Sequence, residues 1–234
     1  MTERLYTRDA YRRQCPATVQ AHTERGVILD ATVFYPVGGG QPGDTGRLHW
    51  DGGSAEVVDT VADTEGRIVH VLAEGATAPE PGTEVNAEID FDRRHRLMRM
   101  HTCLHLLSAV LPYPVTGGQV SDGSGRLDFD LPDSPDKTEV EAELNRLIGE
   151  DHPVGERWIT DAELDAQPEL VKTLSVQPPR GAGRIRLLEI PGVDLQPCGG
   201  THVKQTSEIG PVRVRKIEKK GRMNRRVKLE FADG

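Results

Sequence analysis

Arg93-Arg-His-Arg-Leu-Met-Arg-Met-His-Thr-Cys-Leu-His-Leu-Leu-Ser-Ala-Val-Leu111 divides the chain into an upstream part and a longer downstream part. Its apolar periodicity predicts a helix over 92–111, with Asp92 as N-cap and Pro112 as stop. His101 and His105 stand four residues apart inside it. Residues i and i+4 share one helix face, so both imidazoles can reach one ion. A second stretch, Cys198-Gly-Gly-Thr-His202, repeats the spacing with a thiol and an imidazole. Its two glycines make poor helix and suit a backbone that wraps tightly, so this pair is expected on a loop. Three imidazoles and one thiolate form a natural donor set for zinc. The pairs are far apart in sequence, so folding must join them. Either pair alone is weak evidence; the two together raise the metal reading well above chance.

Upstream of the helix, short apolar runs alternate with turn signals. Ala17–Ala21, Val27–Ala31, Ala55–Val61, Ile68–Leu72 and Val85–Ile89 read as strands, with turns at Glu24-Arg-Gly26, Asp51-Gly-Gly-Ser54 and Thr64-Glu-Gly66. Strands this short, with no helix between them, predict a small barrel or sandwich over residues 1–90. Within it lies Tyr35-Pro-Val-Gly-Gly-Gly-Gln-Pro-Gly-Asp-Thr-Gly46, whose five glycines and two prolines preclude regular structure. It is not a P-loop, since no Gly-Lys-Ser/Thr comes after it. The bland reading is a long barrel loop. The functional one has it close over a neighbouring site, with backbone N–H groups at Gly38, Gly39 and Gly40 and polar contacts from Gln41 and Asp44.

Downstream, residues 91–234 mix helices and strands without βαβ order, which predicts an α+β domain. Thr116–Val120 and Gly125–Leu131 read as paired strands. Ser134–Gly149 reads as a capped helix with Val140, Leu144, Leu147 and Ile148 as its apolar stripe. Val154–Thr160 is a strand, 161–167 a short helix, Ile185–Ile190 a strand leading to the Cys198 loop, and Ile209–Ile217 with Arg226–Phe231 a final hairpin.

Composition bounds the rest. With 234 residues, 36% hydrophobic and 28% charged, the chain is a globular one with a real core. No apolar run approaches the roughly 20 residues that span a bilayer, and the N-terminal residues lack an apolar signal core. Three widely spaced cysteines, Cys15, Cys103 and Cys198, do not make a disulfide framework, so a reduced, cytoplasmic setting is expected. Cys103 should point away from the face of the two histidines and be packed, and Cys15 is read as structural. His22, His49, His70, His95 and His152 lack ligand-type neighbours and are read as ordinary. The net charge of −8 argues against general nucleic-acid binding. Yet Lys204–Lys228 carries ten Lys/Arg and two acids, a local +8 that can hold phosphates.

His-Thr-x-x-His-Leu-Leu, with Cys-Gly-Gly-Thr-His-Val far downstream, resembles the editing domain of alanyl-tRNA synthetase. The Gly-Gly-Gly-Gln-Pro-Gly-Asp-Thr-Gly loop, Arg-Leu-Asp-Phe after the helix and Thr-Ser-Glu-Ile-Gly-Pro-Val-Arg-Val after the second pair extend the likeness over residues 15–231. With no room for an aminoacylation core, the chain resembles the freestanding AlaX-type editing proteins in their intermediate-length form. The resemblance implies a zinc-dependent hydrolase that deacylates Ser-tRNA(Ala), and in some members Gly-tRNA(Ala). It implies His101, His105, Cys198 and His202 as ligands and the acceptor end of tRNA as partner, with no membrane and no obligatory protein partner. Four protein ligands leave no open position unless the ion expands to five-coordination or one ligand stands off; His202 is the expected looser member and proton acceptor. Thr116, Gln119 and Gln41 are candidates to bond the serine hydroxyl, and Lys219, Lys220 and Arg222 to hold acceptor-end phosphates. No carboxylate base stands out beside either pair. Three alternatives stay open: a structural zinc site in an RNA-binding module, a different zinc hydrolase, and the related threonyl-type editing domain. The His-Glu-x-x-His and Pro-Cys-x-x-Cys signatures of other zinc enzymes are absent.

Overall fold

The computed structural model describes residues 2–174 and 183–232. By its internal contacts the chain divides into Met1–His95 and Arg96–Gly234. The division falls inside the helix 91–110, a few residues past the 90/91 boundary expected from sequence.

The first unit is a barrel. Its strands are β1 (Glu3–Arg4), β2 (Gln14–Thr23), β3 (Gly26–Leu29), β4 (Ala31–Thr32), β5 (Gly46–Trp50), β6 (Gly53–Ala62), β7 (Ile68–Leu72) and β8 (Glu84–Ile89). Six of them close in the order β2-β3-β7-β6-β5-β8, and β1 and β4 form a short parallel pair. Alternation fills the interior: Cys15, Ala17 and Val19 of β2 point in with Val27, Leu29, Leu48, Val57, Val85 and Ala87. β5 was not expected from sequence. Only Leu48 is fully buried in its Gly-Arg-Leu-His-Trp, too little apolar content to show a period, yet it sits between β6 and β8.

The glycine loop is built by its own bonds. Gly38 and Gln41 exchange both backbone bonds, at 3.0 and 2.9 Å, around Gly39 and Gly40. Those two have φ of 57° and 82°, a pair of positive values that a tight two-residue turn demands and that glycine supplies. The Asp44 carboxylate accepts from the Tyr35 N–H at 2.5 Å and from the Arg94 guanidinium. Arg94, fully buried, also donates to the carbonyls of Val33 and Ala10. Asp44 is thus a structural partner inside the barrel unit, as is His70, whose Nε2 lies 2.7 Å from Thr32 Oγ1 and whose Nδ1 lies 3.2 Å from the Val27 carbonyl.

Helix α1 (Phe91–Val110) comes next. Its cap is Asp90, whose carboxylate accepts from the Arg93 N–H at 3.0 Å; Asp92, the expected cap, lies in the first turn. The second unit adds β9 (Val115–Ser121), β10 (Ser124–Asp130), α2 (Lys137–Gly149), β11 (Gly155–Ile159), α3 (Asp161–Asp165), β12 (Ile185–Ile190), β13 (Asp194–Pro197), β14 (Val212–Lys219) and β15 (Asn224–Phe231). A four-stranded antiparallel sheet runs β14-β15-β10-β9, and a three-stranded one runs β11-β12-β13. From Leu97 to Leu107 every side chain of α1 except that of Arg99 is buried, so this stretch is a central helix with no solvent stripe. Met100 and Leu104 pack on β10 at Gly125, where a Cβ would come within 2.8 Å of Met100; only glycine lets the helix approach that closely. α2 covers the exposed edge of β14. Asn145 Oδ1 accepts from Val212 N–H at 3.0 Å, and the Glu141 carboxylate accepts from Val214 N–H at 2.8 Å. No described helix is long and apolar enough to cross a membrane.

Candidate metal centre

α1 fixes the first pair. His101 and His105 lie one turn apart, both buried at 7% exposure, with ring centres 5.5 Å apart. Cys103, between them, faces elsewhere: it is fully buried, and burial pushes its thiol up to about 12, so it is a packed side chain and no ligand. β12 and β13 deliver the second pair. The loop after β13 is held by Arg186 of β12, whose guanidinium donates to the carbonyls of Cys198 (3.1 Å) and Gly200 (2.7 Å). Neither Gly199 nor Gly200 takes a positive φ, so the wrap owes more to this clamp than to the conformational freedom expected of the glycines.

One donor atom each from His101, His105, Cys198 and His202 fall within 4.8 Å of one another. Cys198 Sγ is 3.2 Å from His202 Nε2 and 3.6 Å from His101 Nε2. Donor separations of this size suit one ion at Zn–N and Zn–S distances of roughly 2.0 and 2.3 Å. The group can hold a metal ion.

The surroundings decide which nitrogen each histidine offers. The Thr102 hydroxyl has one proton and donates it to the Met98 carbonyl at 2.9 Å. Toward His202 Nδ1, 3.2 Å away, it must therefore accept, so His202 carries its proton on Nδ1 and presents the Nε2 lone pair to the cluster. The Asp194 carboxylate, which only accepts, lies 2.8 Å from His105 Nδ1 and sets the same tautomer there. Asp194 is itself held by Lys172 at 2.5 Å and Gln196 at 2.7 Å, and Gln196 reaches on to Ser108 at 2.8 Å. Without an ion the charges interact directly. Burial opposes charge on His105, but the Cys198 thiolate and Asp194 outweigh it and push His105 up to about 9. Burial and the two neighbouring imidazoles push His202 down to about 3. Burial opposes ionisation of Cys198, yet the three imidazoles hold it well below the ordinary thiol value. Metal binds a thiolate and neutral imidazoles, so an ion entering the cluster displaces the second proton of His105.

Asp194 and Thr102 are the residues sequence reading missed. Thr102 was legible as the neighbour of a ligand. Asp194 lies four residues before Cys198 on a strand, Asp-Leu-Gln-Pro, too polar to be seen as one.

The other expected residues belong to the four-stranded sheet with its β14–β15 turn and to the barrel unit. The Thr116 hydroxyl donates to the Asp128 carbonyl at 3.1 Å and accepts from Asn224 at 2.8 Å. Gln119 sits opposite Arg126, on the sheet face away from Gly125 and α1, and accepts from that arginine at 3.3 Å. The structure does not bring Gln119 to the metal cluster. Gly38, Gly39, Gly40, Gln41 and Asp44 belong to the barrel unit, where Gln41 is fully buried.

Lys219, Lys220 and Arg222 are exposed around the β14–β15 turn. The +8 of this stretch is, however, partly neutralised internally. Glu218 pairs with Lys216, Lys220 and Lys228, which hold its carboxyl down at about 2. Arg226 pairs with Asp128 at 2.7 Å, and Arg225 is buried and fastens the turn through the carbonyls of Gly221, Arg222 and Pro132. Among the described residues Lys219 and Arg222 have no acidic partner.

Sequence similarity places this chain, with its helix-borne His-x3-His and loop-borne Cys-x3-His, among the synthetase-related editing domains. Residues 185–228 match the family described as the threonyl and alanyl tRNA synthetase second additional domain, and residues 8–93 match class II (A) tRNA synthetases. The chain is 37% identical to the alanyl-tRNA editing protein AlaX-M of Methanosarcina acetivorans over the full length of both, and 33% identical to that of Pyrococcus horikoshii over 98% of this chain and 97% of that protein. It is 38% identical to the alanine–tRNA ligase of Pyrobaculum neutrophilum, over 93% of this chain and 25% of the ligase. The chain belongs to the AlaX-M family of alanyl-tRNA editing proteins.

Proposed function

We propose that the protein is a zinc-dependent aminoacyl-tRNA deacylase that hydrolyses the ester of mischarged Ser-tRNA(Ala) in the cytoplasm. The observation that carries this reading is the convergence of four donors, from two ends of the second unit, with two of the histidines locked in the ligand tautomer. His101, His105, Cys198 and His202 would hold the ion. Zinc, when bound, supplies a Lewis acid that polarises an ester carbonyl and acidifies water.

The chain's own residues do the rest. Asp194 and Thr102 keep two imidazoles oriented, and Lys172 keeps Asp194 in place. His202 Nδ1 is committed to Thr102, so a proton-accepting role for His202 runs through Nε2, the atom that also faces the ion. Lys219 and Arg222, with Lys220, would receive acceptor-end phosphates, contacts that position a substrate without reading its sequence. A second site is useful because size alone separates serine and glycine from alanine poorly, whereas a site that bonds the serine hydroxyl leaves that partner unpaired with alanine. The glycine loop, Thr116 and Gln119 keep their candidacy for substrate contact on sequence grounds only.

A specific observation favours a second reading, a structural zinc site in an RNA-binding module: four protein donors, three of them buried, can close a tetrahedron. One experiment separates the two. Ser-, Gly- and Ala-tRNA(Ala) are deacylated side by side with and without chelator. The deacylase reading expects Ser-tRNA(Ala) to be cleaved, Ala-tRNA(Ala) to be spared, and chelation to stop the reaction. A structural site gives no turnover and a chelator-dependent fall in melting temperature. Equal cleavage of all three substrates would leave a nonselective esterase.

A further inference from the structure

Three of the exposed large apolar side chains of the described residues, Tyr113 (43% exposed), Leu174 (59%) and Met223 (42%), share one strip of backbone in the second unit. Val115 N–H donates to the Lys172 carbonyl and Leu174 N–H to the Val115 carbonyl, both at 2.8 Å. On the other side Val115 pairs with Phe129, and the Asp130 N–H to Pro114 carbonyl bond at 2.8 Å carries the pairing one step further, setting Tyr113 beside Leu131. Leu131 N–H in turn donates to the Met223 carbonyl at 2.7 Å. Adjacent segments at 113–115, 129–131 and 222–224 thus set Tyr113 and Met223 on either side of the buried Leu131, while Leu174 follows Thr173, the bridge partner of Val115. Clustered apolar exposure of this kind marks a binding surface, where scattered single residues would not.

The flanks of the strip indicate its ligand. Beyond Met223 stand Arg222 and Lys219, the cations of the β14–β15 turn without acidic partners among the described residues. At the other end Lys172 bonds Asp194, which bonds His105. Apolar side chains beside cations that have no acidic partner among the described residues suit a ligand with flat apolar faces and a charged backbone. Unpaired nucleotides are such a ligand; a base-paired stem, with its bases stacked inside, is not. Resting on the deacylase reading above, we propose that Tyr113 is a stacking platform, aided by Met223, for an unpaired base of the tRNA 3′ end, with its phosphates taken by Lys219 and Arg222.

The test uses unacylated acceptor-stem RNA hairpins, one blunt and one with unpaired 3′ nucleotides carrying 2-aminopurine, and the full-length zinc-loaded protein. Wild type should bind the overhang hairpin more tightly and quench its fluorescence. Tyr113→Ala should weaken overhang binding by about 5-fold or more, from the size of single base–aromatic stacks. It should leave blunt binding and zinc content unchanged, and Tyr113→Phe should restore quench and affinity. Should Tyr113→Ala fail to fold, by circular dichroism, Met223→Ala makes the same comparison from a turn residue without adding charge. Unchanged overhang binding, or equal loss on both hairpins, overturns the proposal. So does a concentration-dependent dimer that Tyr113→Ala abolishes without touching RNA binding, which would give the strip to a second copy of the chain. The deacylase reading fails by a different result, absence of Ser-tRNA(Ala) hydrolysis by wild type, which leaves the hairpin comparison readable.

Discussion

Asp194→Asn isolates the carboxylate behind the metal centre. The side chain is fully buried and receives three donors: His105 Nδ1 at 2.8 Å, Lys172 Nζ at 2.5 Å and Gln196 Nε2 at 2.7 Å. Asparagine keeps the volume but has one acceptor oxygen and an N–H₂ in place of the other. If the oxygen faces His105, the N–H₂ faces the Lys172 ammonium, donor against donor. If it faces Lys172, the N–H₂ meets His105 Nδ1–H and favours the other tautomer, with the proton on Nε2 where the ion must bind. Either way the imidazole loses a charged acceptor. Losing such a partner typically costs 10- to 100-fold in metal affinity, or about 1.4 to 2.7 kcal/mol. The assay is zinc competition against a chromophoric chelator at fixed pH. The dissociation constant should rise by about that factor, with the stoichiometry still near one. Thr102→Val, which removes the hydroxyl holding His202 Nδ1, should weaken zinc less, because a neutral acceptor is lost. An Asp194→Asn protein that is folded and binds zinc within 2-fold of wild type would refute the argument that this carboxylate sets the tautomer and orientation of His105.

Asp44→Ala should destabilise the barrel by about 3–5 kcal/mol, since it leaves the fully buried Arg94 guanidinium uncompensated; urea unfolding followed by Trp50 in a Trp158→Phe background reads it, and a change under 1 kcal/mol would sink the account. His70 gives the barrel a pH dependence. Burial depresses it from 6.5 to about 4, so the unfolded state takes up the proton first, and stability falls as pH drops from 6.5 to about 4 and levels off below. The loss is of order 3 kcal/mol, and His70→Gln should remove that part of the pH slope in the same assay. Neutralising Lys219, Lys220 and Arg222 together should raise KM for aminoacyl-tRNA and flatten its log–log salt dependence by up to about two units, from Lys219 and Arg222, because Lys220 is already paired with Glu218. Zinc content should stay at wild-type level; an unchanged KM and salt slope would put the tRNA contact elsewhere.

Short-range chemistry was readable in the chain itself. Four-residue spacing on an apolar run placed His101 and His105 on one face, because helical pitch is fixed by the backbone. Alternation located most barrel strands, and the wording of the two motifs carried the family likeness. Distant partnership was not readable. The sequence puts Asp194 next to nothing but a polar strand, and only the pairing of β12 with β13 turns its carboxylate to His105. Asp44 stood out as a polar group in a glycine loop, but its partner, Arg94, lies fifty residues away and defines it as structural. A charge count over Lys204–Lys228 came to +8, yet Glu218 pairs with its near neighbours Lys216 and Lys220 and with Lys228 of the facing strand, Asp128 pairs with Arg226, and Arg225 is buried. The sequence determined which groups this protein has and which local faces they share. Tertiary structure decided which of them are partnered, because hydrogen bonds and ion pairs depend on distances of a few ångströms between residues that the chain keeps far apart.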